Sequence, residues 1–178
     1  MIVSITGVPA SGKSTAASEL ERRGYRVIRI EDLIEGAECG TEDDSTLVDI
    51  DIVDRNLRAA RKRRPSATNG EIYMVVGHLS HLLSSDMVVV LRARPEIIRK
   101  RLVERGYSRK KILENVEAEA IDLITIESVQ EHEKVYEIDC SDKNMKEICD
   151  TIEEILRGNG EEFRAGAIDF SEEIMGWF

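Results

Sequence analysis

The sequence is short of cysteine, of positive charge and of long apolar runs. Its three cysteines, Cys39, Cys140 and Cys149, form no C-x-x-C pair, so neither a disulfide framework nor a zinc site is indicated, and we expect reduced thiols in a cytosol. Lys and Arg number 25 against 35 Asp and Glu, a net charge of −10, which argues against a protein whose main task is to coat nucleic acid or an anionic membrane. No apolar run approaches the ~18 residues of a spanning helix, and the opening MIVSITG lacks the basic region of a signal peptide. We therefore expect a cytoplasmic protein with no membrane partner.

The order of apolar segments predicts a single α/β domain over residues 1–178. Short β-branched runs alternate with helical segments, which is typical of a parallel sheet with right-handed crossovers. The acidic, glycine-bearing segment 35–45 is predicted to be a mobile loop. We predict strands at residues 1–6, 25–30, 71–76, 87–91 and 134–139, and helices at 13–23, 95–105, 112–131 and 145–156.

Residues 7–14, GVPASGKS, match the phosphate-binding pattern G-x-x-x-x-G-K-[ST] in full. They lie between a predicted strand and a predicted helix, as the motif requires. Backbone N–H groups of such a loop converge on a phosphate, and the helix adds its positive N-terminal end. Gly7 and Gly12 permit backbone angles and a close approach that a Cβ would obstruct. The alternative is a glycine turn before an ordinary helix, but the context on both sides favours a nucleotide site.

Side chains of this loop have distinct expected roles. Lys13 places a positive charge on the β- and γ-phosphates, and Ser14 offers its hydroxyl to Mg²⁺. Thr15 can hydrogen-bond the α-phosphate, and Ala10 contributes loop backbone to the same site. The motif predicts nucleotide binding and does not identify the phosphate acceptor.

Four other segments indicate which group of P-loop proteins the sequence resembles. These are RLVERGYSRKKILENVEAE at residues 101–119, GHLSH at 77–81, DL at 32–33 and DID at 49–51. With the loop, they resemble the adenylate kinase isoenzyme 6 family, small P-loop NTPases of archaea and eukaryotes that take part in maturing the small ribosomal subunit. The resemblance covers roughly residues 1–157.

The resemblance implies a three-layer αβα P-loop NTPase fold of the nucleoside monophosphate kinase type, with a parallel sheet. It places an NMP-binding insertion at about residues 29–52 and a short lid at about 104–114. It also implies ATP and Mg²⁺ as cofactors and AMP or another nucleoside monophosphate as the second substrate. A small-subunit platform ribosomal protein is the implied partner.

The resemblance implies roles for residues outside the loop. Arg105 would face ATP, and Arg101, four residues earlier, shares its helix face, so both could neutralise phosphate charge in the transition state. His78 would position water or relay a conformational change, and Lys143 would lie in the loop that cradles adenine. The alternatives are a solvated basic helix for the arginines, a structural histidine, and an exposed loop lysine.

The sequence departs from the family pattern at the acid that usually follows the third core strand. Val76 stands where the Walker B Asp is expected, Glu35 where an Arg tends to grip the AMP phosphate, and Ala10 where Gly is frequent. These changes weigh more against AMP phosphorylation than against ATP hydrolysis. Mg²⁺ would then depend on Ser14, phosphates, water and another acid, for which the candidates are Asp32, Asp49 and Asp51.

Two further segments suggest partners. A basic stretch could contact ribosomal RNA or an acidic partner, or could be a solvated helix end; it comprises Arg55, Arg58, Arg61, Lys62, Arg63 and Arg64. The acidic tail, residues 158–178, holds the only Trp and all three Phe of the chain, and we expect it to dock on its own domain rather than wait for a partner. The leading hypothesis is an adenylate kinase with ATPase activity that assists small-subunit rRNA maturation. The alternative is a switch-like ATPase assembly factor with little or no kinase activity.

Overall fold

A parallel sheet with β1 at its centre organises the protein. The computed structural model describes residues 1–42, 45–63 and 72–174. The central strands are all parallel and lie in the order β2-β5-β1-β6-β7, while β3 and β4 form a separate antiparallel pair. The strands are β1 (Ile2–Thr6), β2 (Arg26–Arg29), β3 (Glu38–Glu42), β4 (Ser45–Val48), β5 (Tyr73–Val76), β6 (Met87–Arg92) and β7 (Val135–Asp139).

Helices cover both faces of this sheet. On one face α1 and α6 pack together, with Leu20 and Ile152 in the same core cluster as Val89. On the other face Leu57 of α2 packs in a cluster with Val75, and α5 covers β6 and β7. The helices are α1 (Lys13–Arg22), α2 (Ile50–Arg63), α3 (Pro95–Glu104), α4 (Arg109–Ala120), α5 (Leu123–Glu131), α6 (Met145–Leu156) and α7 (Ser171–Ile174). The predicted three-layer α/β fold with a parallel sheet is confirmed.

Most predicted elements appear within two residues of their expected bounds, but the prediction of a loop at 35–45 is wrong. This segment contributes to an antiparallel hairpin in which Thr41 pairs with Thr46 and Glu38 with Val48. Threonine and valine have a high propensity for strands. The prediction gave more weight to the acidic residues, which are typical of loops. The hairpin leads directly into α2, and the carboxylate of Asp49 caps this helix by accepting hydrogen bonds from the backbone N–H groups of Asp51 and Ile52 in its first turn.

The prediction of one helix over 112–131 is also wrong. The structure has α4 and α5 instead, separated at Asp122, which adopts a left-handed conformation with φ 58°. Asp tolerates this conformation better than most residues, and its carboxylate pairs with the buried guanidinium of Arg92. Helix α4 also begins earlier than expected, because the Ser108 side chain caps the backbone N–H of Lys111.

The described part of the tail packs on the domain. Phe170 is buried and lies 5.3 Å from the guanidinium of Arg92, and the backbone N–H of Gly166 donates to Glu137. Trp177 and Phe178 lie outside the described residues. Across the described ranges, no helix is both long enough and apolar enough to cross a bilayer.

Candidate nucleotide-binding site

The loop after β1 has the backbone geometry of a phosphate cradle. Gly7, Ala10 and Gly12 have φ values of 138°, 70° and 114°, a region that glycine enters most easily. A Cβ on Gly7 would lie 2.4 Å from the carbonyl oxygen of Leu91, so only glycine fits against β6 here. Gly12 is the N-cap of α1, and the first N–H groups of a helix have no acceptor within the helix.

Lys13 bonds back to the backbone of its own loop. Its Nζ donates hydrogen bonds to the carbonyl oxygens of Gly7 and Val8, both at 2.8 Å. Burial lowers the pKa of Lys13 to about 8, with Glu119 opposing this effect and Arg105 adding to it. Neutral carbonyls therefore hold the lysine in place, and no carboxylate of the described residues forms an ion pair with it. A bound phosphate would supply this missing negative charge.

A cavity of about 170 Å³ opens beside this loop. It brings together most of the predicted site residues, which come from the loop, the start of α1, the end of β5 and the end of α3. The lining residues are Pro9, Ala10, Gly12, Lys13, Ser14, Thr15, Glu31, His78, Arg105 and Tyr107. Gly7 shapes the loop from behind, where it contacts β6.

The two arginines of α3 occupy different places. Arg105, at the C-cap of α3, lines the cavity. Arg101 donates a hydrogen bond from Nη1 to the carbonyl oxygen of Ala10 at 3.0 Å, and it is not among the described residues that line the cavity. Arg101 therefore bonds to the loop backbone, whereas Arg105 lines the cavity, and the expectation that both arginines neutralise phosphate charge stays a prediction.

His78 lines the cavity and follows the C-terminal end of β5 by two residues. Limited hydration lowers its pKa, and the charge of Lys13 lowers it further, so a neutral imidazole is favoured beside the loop. Behind it, Thr6 Oγ1 donates to the carbonyl oxygen of His78 at 3.2 Å and lies 3.0 Å from Nδ1 of the buried His81. Nε2 of His81 lies 2.9 Å from a carboxylate oxygen of Glu127 on α5. Buried polar contacts thus hold the His78 backbone to the strand that precedes the phosphate loop.

The acid in this cavity is one that the sequence analysis missed. Glu31, in the short 3-10 helix after β2, lines the cavity. Of the three acids proposed for Mg²⁺, Asp49 caps α2, and neither Asp32 nor Asp51 is among the described lining residues. No group of three or more His, Cys, Asp or Glu within the described ranges is arranged to hold a metal by itself. The oxygens that could hold a cation here include the hydroxyls of Ser14 and Thr15 and the carboxylate of Glu31, and Mg²⁺ prefers oxygen ligands of this kind.

Lys143 does not meet the loop cavity. Its ammonium lies 5.9 Å from the ring centre of Phe163 in the tail, and its side chain is exposed. The contact with adenine that the family resemblance implies stays a prediction.

The basic stretch on α2 is partly neutralised. Arg58 forms an ion pair with Asp54 at 2.7 Å, and Arg61 lies 5.5 Å from the ring centre of Tyr73. Arg64 lies outside the described residues. A role of this stretch in binding RNA stays a prediction.

Comparison with known proteins assigns the family. The sequence matches the AAA domain family over residues 3–122. It is 42% identical over 174 residues to a protein of Pyrococcus abyssi named "Putative adenylate kinase", covering 97% of this chain and 92% of that protein. A protein of Archaeoglobus fulgidus with the same name is 35% identical over 177 residues, covering 98% and 94%. The chain is a member of the AAA domain family and of this family of archaeal proteins.

A solved structure shares the fold at low identity. YorR of Bacillus subtilis, solved in complex with phosphorylated GDP, aligns with a TM-score of 0.59 at 18% identity, covering 88% of this chain and 96% of that one. At this identity the likeness supports the three-layer architecture alone.

Proposed function

We propose that this protein is a nucleotide kinase that transfers the terminal phosphoryl group of ATP to AMP or another nucleoside monophosphate, giving ADP from ATP and AMP. The observation that carries the proposal is the single cavity that holds Lys13, Ser14, Thr15, His78 and Arg105. The name of the archaeal relatives supports AMP as the acceptor. Because Val76 replaces the expected acid, we expect weak turnover, with some hydrolysis of ATP.

The residues of the cavity would divide the work of phosphoryl transfer. Lys13 would leave the carbonyl oxygens of its own loop and bind the β- and γ-phosphates, and Arg105 would add charge from the opposite wall. Ser14 and Thr15 would offer hydroxyls to Mg²⁺ and the α-phosphate. Mg²⁺, when bound, supplies charge neutralisation on the phosphates. Closure of residues 104–114, the proposed lid, would exclude water from the reacting groups.

A second candidate is a switch-like ATPase that assists maturation of the small ribosomal subunit. Val76 and Glu35 favour it, since both depart from what AMP phosphorylation needs. In this reading, ATP binding and hydrolysis change the affinity for a partner. The net charge of −10 suits a basic ribosomal protein of the subunit platform, and the basic stretch on α2 would be the contact for ribosomal RNA. For both candidate functions we expect a cytoplasmic protein that belongs to the adenylate kinase isoenzyme 6 family.

One assay separates the two candidates. The protein is incubated with Mg²⁺ and ATP, with and without AMP, and ADP and free phosphate are measured separately. Two ADP for each ATP consumed, without free phosphate, supports the kinase; free phosphate that does not depend on AMP supports the switch.

The site itself is tested by Lys13→Ala. We expect loss of both products with an unchanged circular dichroism spectrum, while Lys134→Ala, a change at an exposed lysine away from the cavity, retains activity. Full ATP turnover by Lys13→Ala would contradict the site assignment.

A further inference from the structure

Glu31 brings a carboxylate to the cavity beside the phosphate loop, and the division of roles proposed above does not include it. Of the described residues that line this cavity, it is the one acid. Its side chain is exposed, and it makes no hydrogen bond or ion pair with any other described residue. It is nevertheless close enough to Lys13 and His78 to act on both through its charge.

The sheet explains how Glu31 reaches this place. Strand β2 lies next to β5, and Arg29 is in register with Val76. Both strands end at the same edge of the sheet, where ligands bind in folds of this kind. Val76 is the last residue of β5 and is buried and apolar, so β5 itself offers no carboxylate at its end. Glu31 lies two residues beyond Arg29 on the neighbouring strand and brings a carboxylate to the same edge.

The 3-10 helix after β2 presents Glu31 rather than its neighbour. Ile30 is buried in the core on the α2 face, which anchors the turn and leaves Glu31 to face the phosphate loop. Asp32 follows in sequence and lies outside the described lining of the cavity. A hydroxyl from Ser14 and a carboxylate from Glu31 are hard oxygen donors, and Mg²⁺ retains several waters that such a carboxylate can hold.

We propose that Glu31 holds the hydrated Mg²⁺ of bound Mg-ATP and thereby replaces the acid that is absent at position 76. This inference rests on the proposed function, because it takes ATP as the ligand of the cavity. It makes Glu31 a positioning residue for the metal, acting through metal-bound water.

Metal-dependent binding tests the proposal without turnover. The affinity for a non-hydrolysable ATP analogue is measured by calorimetry, with Mg²⁺ and with EDTA, for the unchanged protein, Glu31→Gln and Asp32→Asn. Partners that orient metal ligands typically contribute 10–100-fold to metal affinity, so we expect Glu31→Gln to lose about that much of the tightening by Mg²⁺. In EDTA, Glu31→Gln should bind at least as tightly as the unchanged protein, because a negative charge near the phosphates is gone. Asp32→Asn should keep the full Mg²⁺ effect.

A rescue variant separates this role from general damage to the site. Val76→Asp in the Glu31→Gln background returns a carboxylate to the same sheet edge, and we expect it to recover part of the Mg²⁺ effect. Electron paramagnetic resonance of Mn²⁺ with the analogue gives a direct count of bound metal for each variant.

The outcomes distinguish a failure of the proposed function from a failure of the proposed role of Glu31. If Lys13→Ala binds the analogue as tightly in EDTA as the unchanged protein, the proposed function fails. If Lys13→Ala weakens binding but Glu31→Gln retains the full Mg²⁺ effect, the role of Glu31 alone is overturned. A larger loss in Asp32→Asn than in Glu31→Gln also overturns it, in favour of the neighbouring acid.

Discussion

Arg92 should be among the most costly residues to replace, although it is not among the described residues that line the proposed nucleotide cavity. It lies at the end of β6 with its guanidinium fully buried. Nε donates to Glu119 at 2.7 Å and Nη1 donates to Glu137 at 2.6 Å, and Nη2 also pairs with Asp122. One positive charge therefore serves three carboxylates, two of which are buried as deeply as the arginine itself.

Replacing Arg92 by Met keeps much of the volume and removes the charge. Removing one partner of a buried ion pair typically costs about 3–5 kcal/mol, because the remaining charge is left without compensation. In a chain of this size 1 kcal/mol corresponds to about 2–4 °C in Tm, so we expect a decrease of roughly 6–20 °C. Arg157→Met removes the exposed pair between Arg157 and Glu153 and is the matched control, for which the expected loss is below ~1 kcal/mol.

The pH dependence identifies the mechanism of this loss. Burial already raises the pKa of Glu119, with Arg92 opposing, so removing Arg92 should raise it further. When the pKa of a carboxyl group is higher in the folded protein than in the unfolded one, the free energy of unfolding decreases as pH rises above the pKa of the unfolded state. The deficit of Arg92→Met, measured by urea unfolding, should therefore grow from pH 5 to pH 8. A deficit no larger than that of Arg157→Met, or one that shrinks with rising pH, would refute this reasoning.

Two further predictions concern Lys13 and the cysteines. Because the pKa of Lys13 is lowered to about 8, binding of ATP at pH 8 should take up about half a proton. Calorimetry in buffers of different ionisation enthalpy measures this uptake, and Lys13→Met should abolish it. Equal proton uptake by both proteins would contradict the prediction. Cys39 is exposed, whereas burial raises the pKa of Cys140 to about 12 and that of Cys149 to about 11. A maleimide should therefore label one thiol in the folded protein and three in urea, and rapid labelling of all three in buffer would count against the buried positions.

The phosphate loop could be predicted from the sequence because its chemistry is local. Gly7, Gly12 and Lys13 act through the backbone of one short segment, and the flanking strand and helix are specified by apolar runs. The parallel sheet followed from the same runs, because buried strands of such a sheet are apolar on both faces. The family resemblance also singled out Arg105, which lines the cavity, and its role toward ATP stays a prediction.

Features that depend on contacts distant in sequence could not be predicted. Asp122 breaks the helix over 112–131 because Arg92, 30 residues away, holds its carboxylate, and no local pattern carries that information. Arg101 has the same helical spacing as a site residue, yet it binds the Ala10 carbonyl from outside the loop. Glu31 was overlooked in favour of Asp32 because the direction of each side chain depends on how the turn after β2 packs.

That packing rests on Gly77, which suggests a last prediction. Gly77 lies just before His78, and a Cβ built there would be 2.2 Å from Cγ2 and 2.7 Å from Cβ of Ile30, the residue before Glu31. The absence of a side chain at position 77 lets the end of β5 and the turn after β2 approach, so that His78 and Glu31 meet at one cavity. Gly77→Ala should cost about 1–3 kcal/mol through overpacking and should also weaken the Mg²⁺ effect on nucleotide binding, because the turn that carries Glu31 must move.

Combining Gly77→Ala with Ile30→Ala tests the contact itself. Ile30→Ala alone leaves a cavity and should cost about 2–5 kcal/mol, but it removes Cγ2, the atom nearest to the new methyl group, and leaves only the Cβ contact at 2.7 Å to be relieved. The double variant should therefore lose less stability than the sum of the single losses, with a coupling of about 0.5–3 kcal/mol, as expected for residues in contact. Gly40→Ala is the control, since its Cβ would lie 3.7 Å from Cδ1 of Leu47, an ordinary van der Waals distance. Strictly additive losses for Gly77→Ala and Ile30→Ala would mean that this contact does not set the approach of the two strands.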